Sequence, residues 1–188
     1  MFKLEWQEIA MSRICCVALA SVLLLGRASA APGSDSLTFV GDPLVAKSDS
    51  LGAQGGLIEF VQPHESAGGW TRLVGYRAFL DSRQSAADAA DALARQARQR
   101  YPAAAVTTYG RRTESIVEFS LVTPDGTIEY NVFRYAVGPS GRGLVSLQYA
   151  RRLRGSDTDT MTVQAPRWAA EIARFDMNRV RAAFTQPR

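Results

Sequence analysis

Ser115 to Val137 read SIVEFSLV, TPDGT, IEYNVFRYAV, and this stretch decides the fold. Val117, Phe119 and Leu121 alternate with Glu118 and Ser120, which is the period of a strand. In TPDGT, Pro124 presets the first turn angle and Gly126 accepts a left-handed conformation, so the chain reverses. Ile128, Tyr130 and Val132 then keep one phase, while Phe133, Tyr135 and Val137 take the other. That switch predicts either a bulge or a strand covered on both faces. The pair is a β-hairpin, so the sheet is antiparallel here.

Toward the C-terminus, GPSGRG (Gly138 to Gly143) is a second turn. Leu144 to Leu153 follows as a strand with Val145, Leu147 and Tyr149 on one face. Gly155 to Thr162 reads as a polar loop. Pro166 is expected to open a last helix, because a first-turn proline has no helical hydrogen bond to lose. Trp168, Ile172 and Phe175 form its apolar face, with a break expected near Asp176 to Asn178.

Toward the N-terminus, Ser85 and Asp88 make a capping box for a helix ending at Tyr101 and Pro102. Its apolar stripe, Ala90, Leu93, Ala94 and Ala97, is narrow, so it should lie close against a sheet. Before it, Trp70 to Leu80 places Trp70, Val74, Tyr76, Ala78 and Leu80 on one strand face. LIEFV (Leu57 to Val61) is another strand, ending at Pro63. Ser34 to Gly56 is rich in Gly, Ser, Asp and Pro and reads mainly as loop, with a short strand at Leu37 to Val40. The predicted class is α+β: a single antiparallel sheet of about five to six strands with two main helices, in the order β-β-α-β-β-β-α.

The N-terminus speaks to location. Ile14 to Leu25 is an apolar run suited to a secretory signal and too short to span a bilayer. Arg13 precedes it, and Ala28-Ser29-Ala30 gives the small-x-small cleavage pattern. Residues 1–30 are therefore expected to be an N-terminal extension plus a cleavable signal peptide. Residues 31–56 follow as a flexible or partly extended segment, and residues 57–188 as one α+β domain. Glu5 and Glu8 are foreign to a signal's basic start, so Met11 competes with Met1 as the translation start. The expected location is periplasmic or secreted in a bacterium, with no transmembrane segment after cleavage.

The formal charge of the 188 residues is +4. Cleavage after Ala30 would remove three basic and two acidic residues and leave +3, with Lys47 the sole lysine. Both cysteines, Cys15 and Cys16, would leave with the signal. The remainder then has no thiol and one histidine, His64, so no zinc triad or thiolate site can be assembled. No cofactor and no metal are expected.

Other chemistry is equally sparse. Ser140 lies in G-P-S-G-R-G, but Arg142 stands where a nucleophile elbow needs its second glycine. Asp157-Thr158-Asp159 resembles the start of a calcium loop, yet Thr162 and Trp168 occupy its glycine and glutamate positions. Glu118 and Glu129 would make a carboxylate pair only if strand register brought them together. The aromatics Trp70, Tyr76, Phe119, Tyr130, Tyr149 and Trp168 keep strand or helix period and read as core.

The element order resembles the PsbP/DcrB-like fold, an antiparallel sheet flanked by helices. The residues that carry the likeness are LIEFVQP, WTRLVGYRAF, the helix from Ser85, the strand set and the helix at Trp168. They are also similar to a group of proteobacterial periplasmic proteins in which a W-T-x-L/M-V/I strand follows an E-F-V/I-P-like strand. The resemblance implies an accessory or binding role and transfers no catalytic residue.

The functional expectation is a non-enzymatic binding or accessory protein of the cell envelope. The alternatives are an immunity or inhibitor protein and a small carboxylate-dependent envelope hydrolase. The expected partner is another envelope protein or an anionic envelope component. If the chain reverses at both turns, Arg111, Arg112 and Arg142 fall at one end of the sheet and are the expected binding residues. Arg151, Arg152 and Arg154 fall at the other end, near Asp125, Glu129 and Asp157. This split denies nucleic acid the continuous phosphate track it needs, so no nucleic acid is expected.

Overall fold

The computed structural model describes residues 36–185. The expected signal segment and its cleavage point lie outside them. The chain forms β1 (Ser36–Phe39), β2 (Asp42–Gly52), β3 (Gly55–Val61), β4 (Arg72–Phe79), α1 (Ala86–Arg100), β5 (Ala105–Arg111), β6 (Glu114–Val122), β7 (Ile128–Val137), β8 (Leu144–Leu153), α2 (Thr158–Arg174) and α3 (Met177–Ala182). The strands make one antiparallel sheet in the order β1-β2-β3-β4-β8-β7-β6-β5. It is two four-stranded meanders joined where β4 meets β8.

The α+β class and the single antiparallel sheet hold. The strand count is corrected from five or six to eight, and the order changes with it. The short strand expected at Leu37 to Val40 is β1, and the rest of Ser34 to Gly56, read as loop, supplies β2. β2 has one buried residue, Leu44, so burial left almost no apolar alternation to read. β5 is an edge strand with no fully buried residue and was missed for the same reason. The phase switch in β7 resolves without a bulge. Its pairing to β6 and β8 is continuous, and every residue from Ile128 to Ala136 is buried, so the strand is covered on both faces.

Pro166 does not open a helix. It sits inside α2, which starts at Thr158 and replaces the expected polar loop. A proline here leaves the Thr162 carbonyl without its helical donor. Both residues are exposed, so water can take that bond. The expected break near Asp176 is present: Phe175 ends α2 and the Asp176 carboxylate caps α3 by accepting from the Asn178 N–H at 3.0 Å.

The helices occupy opposite faces. Val74 and Tyr76 of β4, Val145 and Leu147 of β8, and Tyr130 and Val132 of β7 form one core with Trp168 and Ile172 of α2 and Met177 and Val180 of α3. Ile116 of β6 joins that core, whereas Val117, Phe119 and Leu121 are buried outside it. Strand alternation puts those residues on the reverse face, where α1 packs over β5, β6 and β7. Its buried residues are five alanines and Leu93, which let the helix lie close. Arg134 anchors the C-terminal end of α2. One guanidinium nitrogen donates to the carbonyls of Ile172 and Phe175 at 2.9 and 2.8 Å, and the other pairs with Glu114 at 2.8 Å. A cation there also meets the negative end of the helix dipole.

Candidate functional site

A cleft of about 470 Å³ opens at the end of the β4–β8 seam. Leu80, Val137 and Leu144 give it an apolar base, and Arg83, Arg112 and Arg142 line it with charge. Three separate segments deliver these arginines. Arg83 lies in the turn from β4 to α1, where the Ser82 N–H donates to the Phe79 carbonyl at 3.1 Å. Arg112 lies at the tip of the β5–β6 hairpin, and its carbonyl accepts from the Ala86 N–H at 3.1 Å, tying the hairpin to the first turn of α1. Arg142 lies in the β7–β8 turn, closed by the Gly138 N–H donating to the Gly143 carbonyl at 3.0 Å. Gly143 has φ +64, and a Cβ there would sit 2.6 Å from the carbonyl oxygens of Phe79 and Leu80. The turn is thus pressed against the end of β4.

The capping box fixes the α1 side of the cleft. The Asp88 N–H donates to the Ser85 hydroxyl at 3.1 Å, and the Ser85 N–H donates back to the Asp88 carboxylate at 3.2 Å. These hydrogen bonds hold the Asp88 carboxyl below the ordinary aspartate range, and Arg112 and Arg95 push it the same way.

The guanidinium groups of the three cleft arginines make no hydrogen bond or ion pair among the described residues, although Arg112 feels the Asp88 carboxylate electrostatically. Most other arginines are committed. Arg72 pairs with Asp42, Arg134 with Glu114 and Arg152 with Glu129. Arg98 donates to the Val106 carbonyl and Arg181 to the Val137 carbonyl, both at 2.9 Å. Of the expected binding residues, Arg112 and Arg142 line the cleft together. Arg111 stands nearby at the end of β5, opposite Glu114, and is outside the lining. Arg83 was missed, because a lone arginine in DSRQS carries no pattern and only the topology brings it here.

At the opposite end of the sheet the expected clustering holds in part. Arg152 stands opposite Glu129, bonds its carboxylate at 3.2 Å and stacks over Trp70 at 3.9 Å. Arg151 stacks over Trp168 at 4.9 Å. Asp157 accepts from the Arg154 backbone N–H at 3.3 Å. Asp125 instead turns inward on its own hairpin, accepting from the Thr123 hydroxyl and the Thr127 N–H.

A buried polar chain crosses the α1 face of the central strands. Arg77 donates to Gln148 at 3.2 Å, Gln148 to Asn131 at 3.0 Å, Asn131 to Glu129 at 3.1 Å, and Arg152 closes it on Glu129. Each link satisfies a group whose burial alone would be costly.

Two specific pairings, Glu118 with Glu129 and His64 with Ser140, are not formed. Glu118 pairs in register with Val132 and Glu129 with Leu121, so the two carboxylates lie on opposite faces of the sheet. His64 is exposed beyond the Val61 end of β3, whereas Ser140 follows β7 at the Phe79 and Leu144 end, across the length of the sheet. Among the described residues no group of three or more His, Cys, Asp or Glu could hold a metal ion. Nor is any described helix long and apolar enough to cross a membrane.

Fold and cleft together define an α+β protein with one eight-stranded antiparallel sheet and an arginine-lined cleft at the seam of its two halves. A family model matches residues 35–177, and the chain belongs to that family, which is uncharacterised. The match spans β1 to β8 and α2 and ends at the first residue of α3. It does not confirm the PsbP/DcrB-like kinship. No curated protein matches the chain.

Proposed function

We propose that the protein is a non-enzymatic binding or accessory protein of the bacterial cell envelope, periplasmic or secreted. Its partner is an envelope protein or an anionic envelope component, met by Arg111, Arg112 and Arg142, with Arg83 added to them. One observation carries the reading: unpartnered guanidinium groups gather at one end of the sheet, while at the other end Arg152 is held by Glu129 and Trp70 and Arg151 by Trp168. Charges without internal partners contribute little to folding and remain available to a ligand.

Cosedimentation with envelope fractions over a salt series tests this. The wild type should be retained at low salt and released as salt rises. Arg111→Ala, Arg112→Ala and Arg142→Ala combined should weaken retention and flatten its salt dependence at unchanged melting temperature. Arg154→Ala, Arg167→Ala and Arg174→Ala combined, three exposed arginines outside the cleft, is the charge-matched control. Equal losses in both variants would reduce the effect to net charge, and retention in the triple variant would remove the binding end. Recovery of the protein in the cytoplasmic fraction after osmotic shock would remove the envelope location.

A further inference from the structure

Resting on that reading of the binding end, we infer that the cleft takes a phosphomonoester group carried on a small hydroxyl-rich body. Charge comes first. Three guanidinium groups face the single lining carboxylate of Asp81, and Arg112 also feels the Asp88 carboxylate of the capping box, so the cleft keeps a net positive charge of between one and two. A phosphomonoester near neutral pH carries about −1.5 to −2, whereas a carboxylate or a phosphodiester carries one negative charge. The more highly charged group is drawn into the cleft most strongly.

Shape points the same way. Arg83, Arg112 and Arg142 arrive from three different turns, so they surround a volume instead of following a line. A terminal phosphate offers three oxygens in three directions, and each can accept from a planar guanidinium fork. A polymer of phosphodiesters would need its cations spaced along a track. The cleft volume, about 470 Å³, corresponds to roughly fifteen waters at about 30 Å³ each. That exceeds one phosphate and leaves room for a sugar-sized or glycerol-sized body. Ser82, Gln84 and Thr113 line the remaining wall and supply hydroxyl and amide groups for such a body.

The site is also pre-organised. The Ala86 N–H to Arg112 carbonyl bond, the Ser85–Asp88 capping box and the closed Gly138–Gly143 turn hold the three backbone segments before any ligand arrives. Less ordering is then required at binding. The same chemistry is presented by a soluble phosphorylated metabolite and by a phosphomonoester lipid headgroup, and the test separates these sources.

Calorimetry on protein purified from cells expressing the full chain should show one site for inorganic phosphate at pH 7.5 and much weaker binding of acetate. Arg83→Ala, Arg112→Ala and Arg142→Ala should each weaken phosphate by about tenfold, the scale of one charged hydrogen-bonded contact, at unchanged melting temperature. Arg142→Lys should lose part of the affinity, since it keeps the charge and loses the fork. Asp81→Asn should tighten binding by relieving repulsion. Capture by vesicles containing phosphatidic acid but not phosphatidylglycerol assigns the headgroup source, and phosphate binding with neither vesicle assigns the soluble one. Acetate binding as tightly as phosphate, or phosphate affinity unchanged in the three alanine variants, overturns the inference. If envelope retention still requires Arg111, Arg112 and Arg142 while phosphate does not bind, this inference falls and the binding end stands. If phosphate binds through Arg83 and envelope retention ignores the arginines, the reverse holds.

Discussion

Glu129 is 1% exposed, and its neighbours explain how a carboxyl group is accommodated there. Arg152 bonds one carboxylate oxygen at 3.2 Å, Asn131 bonds the other at 3.1 Å, and Trp70 covers the guanidinium. Glu129→Ala removes one partner and leaves Asn131 and Arg152 facing the gap. Breaking such a buried pair costs about 3 kcal/mol, and thermal melting should show it. Glu118→Ala should cost far less, because Glu118 is half-buried and its partner, the Tyr130 hydroxyl, keeps a second contact to the Ala165 carbonyl at 3.3 Å. Equal losses at the two positions would mean that the polar chain contributes no special stability. The difference between the two glutamates is not legible in the sequence, since alternation marks phase and does not reveal that a second layer covers the other phase. The same limit governs the cleft. Arg112 and Arg142 were legible because two recognisable turns place them, whereas Arg83 required the β4–β8 pairing.

At the scale of elements, α1 was the most legible part of the fold because its signals are local. The S-x-x-D box, the alanine stripe and Pro102 all act within the helix or next to it. Ser85→Ala should therefore cost about 1 kcal/mol of stability, as other cap losses do. It should also change the acid limb of the pH profile. The folded Asp88 has its proton affinity lowered, so it stabilises the fold fully above the unfolded value of about 3.9 and ceases to do so as pH falls through its lower folded value. Chemical denaturation at pH 7 and pH 2.5 would show it: the gap between wild type and Ser85→Ala should narrow at the lower pH. A gap constant with pH would separate the cap from the Asp88 charge. β2, β5 and the start of α2 were illegible for the opposite reason. β2 and β5 bury little, and α2 begins with Thr158, Asp159 and Thr160, residues that compete with the backbone for hydrogen bonds and read as loop. Each is held by its place beside an already formed partner.

For the whole molecule, the decisive contact is the seam between two meanders distant in sequence. β4 and β8 pair continuously from Arg72 with Arg151 to Phe79 with Leu144, and the cleft opens where this pairing ends. Gly143 is the pin at that end. Its φ of +64 suits glycine, and its α-carbon lies so near β4 that a Cβ would be 2.6 Å from two carbonyl oxygens. Gly141, in the same turn, has φ +74 but nothing within 4 Å of a Cβ. The two positions separate backbone strain from close approach. Gly141→Ala should cost only the left-handed penalty, about 1 kcal/mol. Gly143→Ala must also push the turn away from Phe79 and Leu80, for a total of about 2 kcal/mol or more. In a chain of this length that lowers the melting temperature by about 4–8 °C. Because Arg142 precedes Gly143, the same displacement should loosen Arg142 from the cleft, so Gly143→Ala should weaken phosphate binding more than Gly141→Ala does. Equal stability and equal affinity in the two variants would show that the turn is not pressed on the seam, and that the position of Arg142 does not depend on the meeting of the two halves.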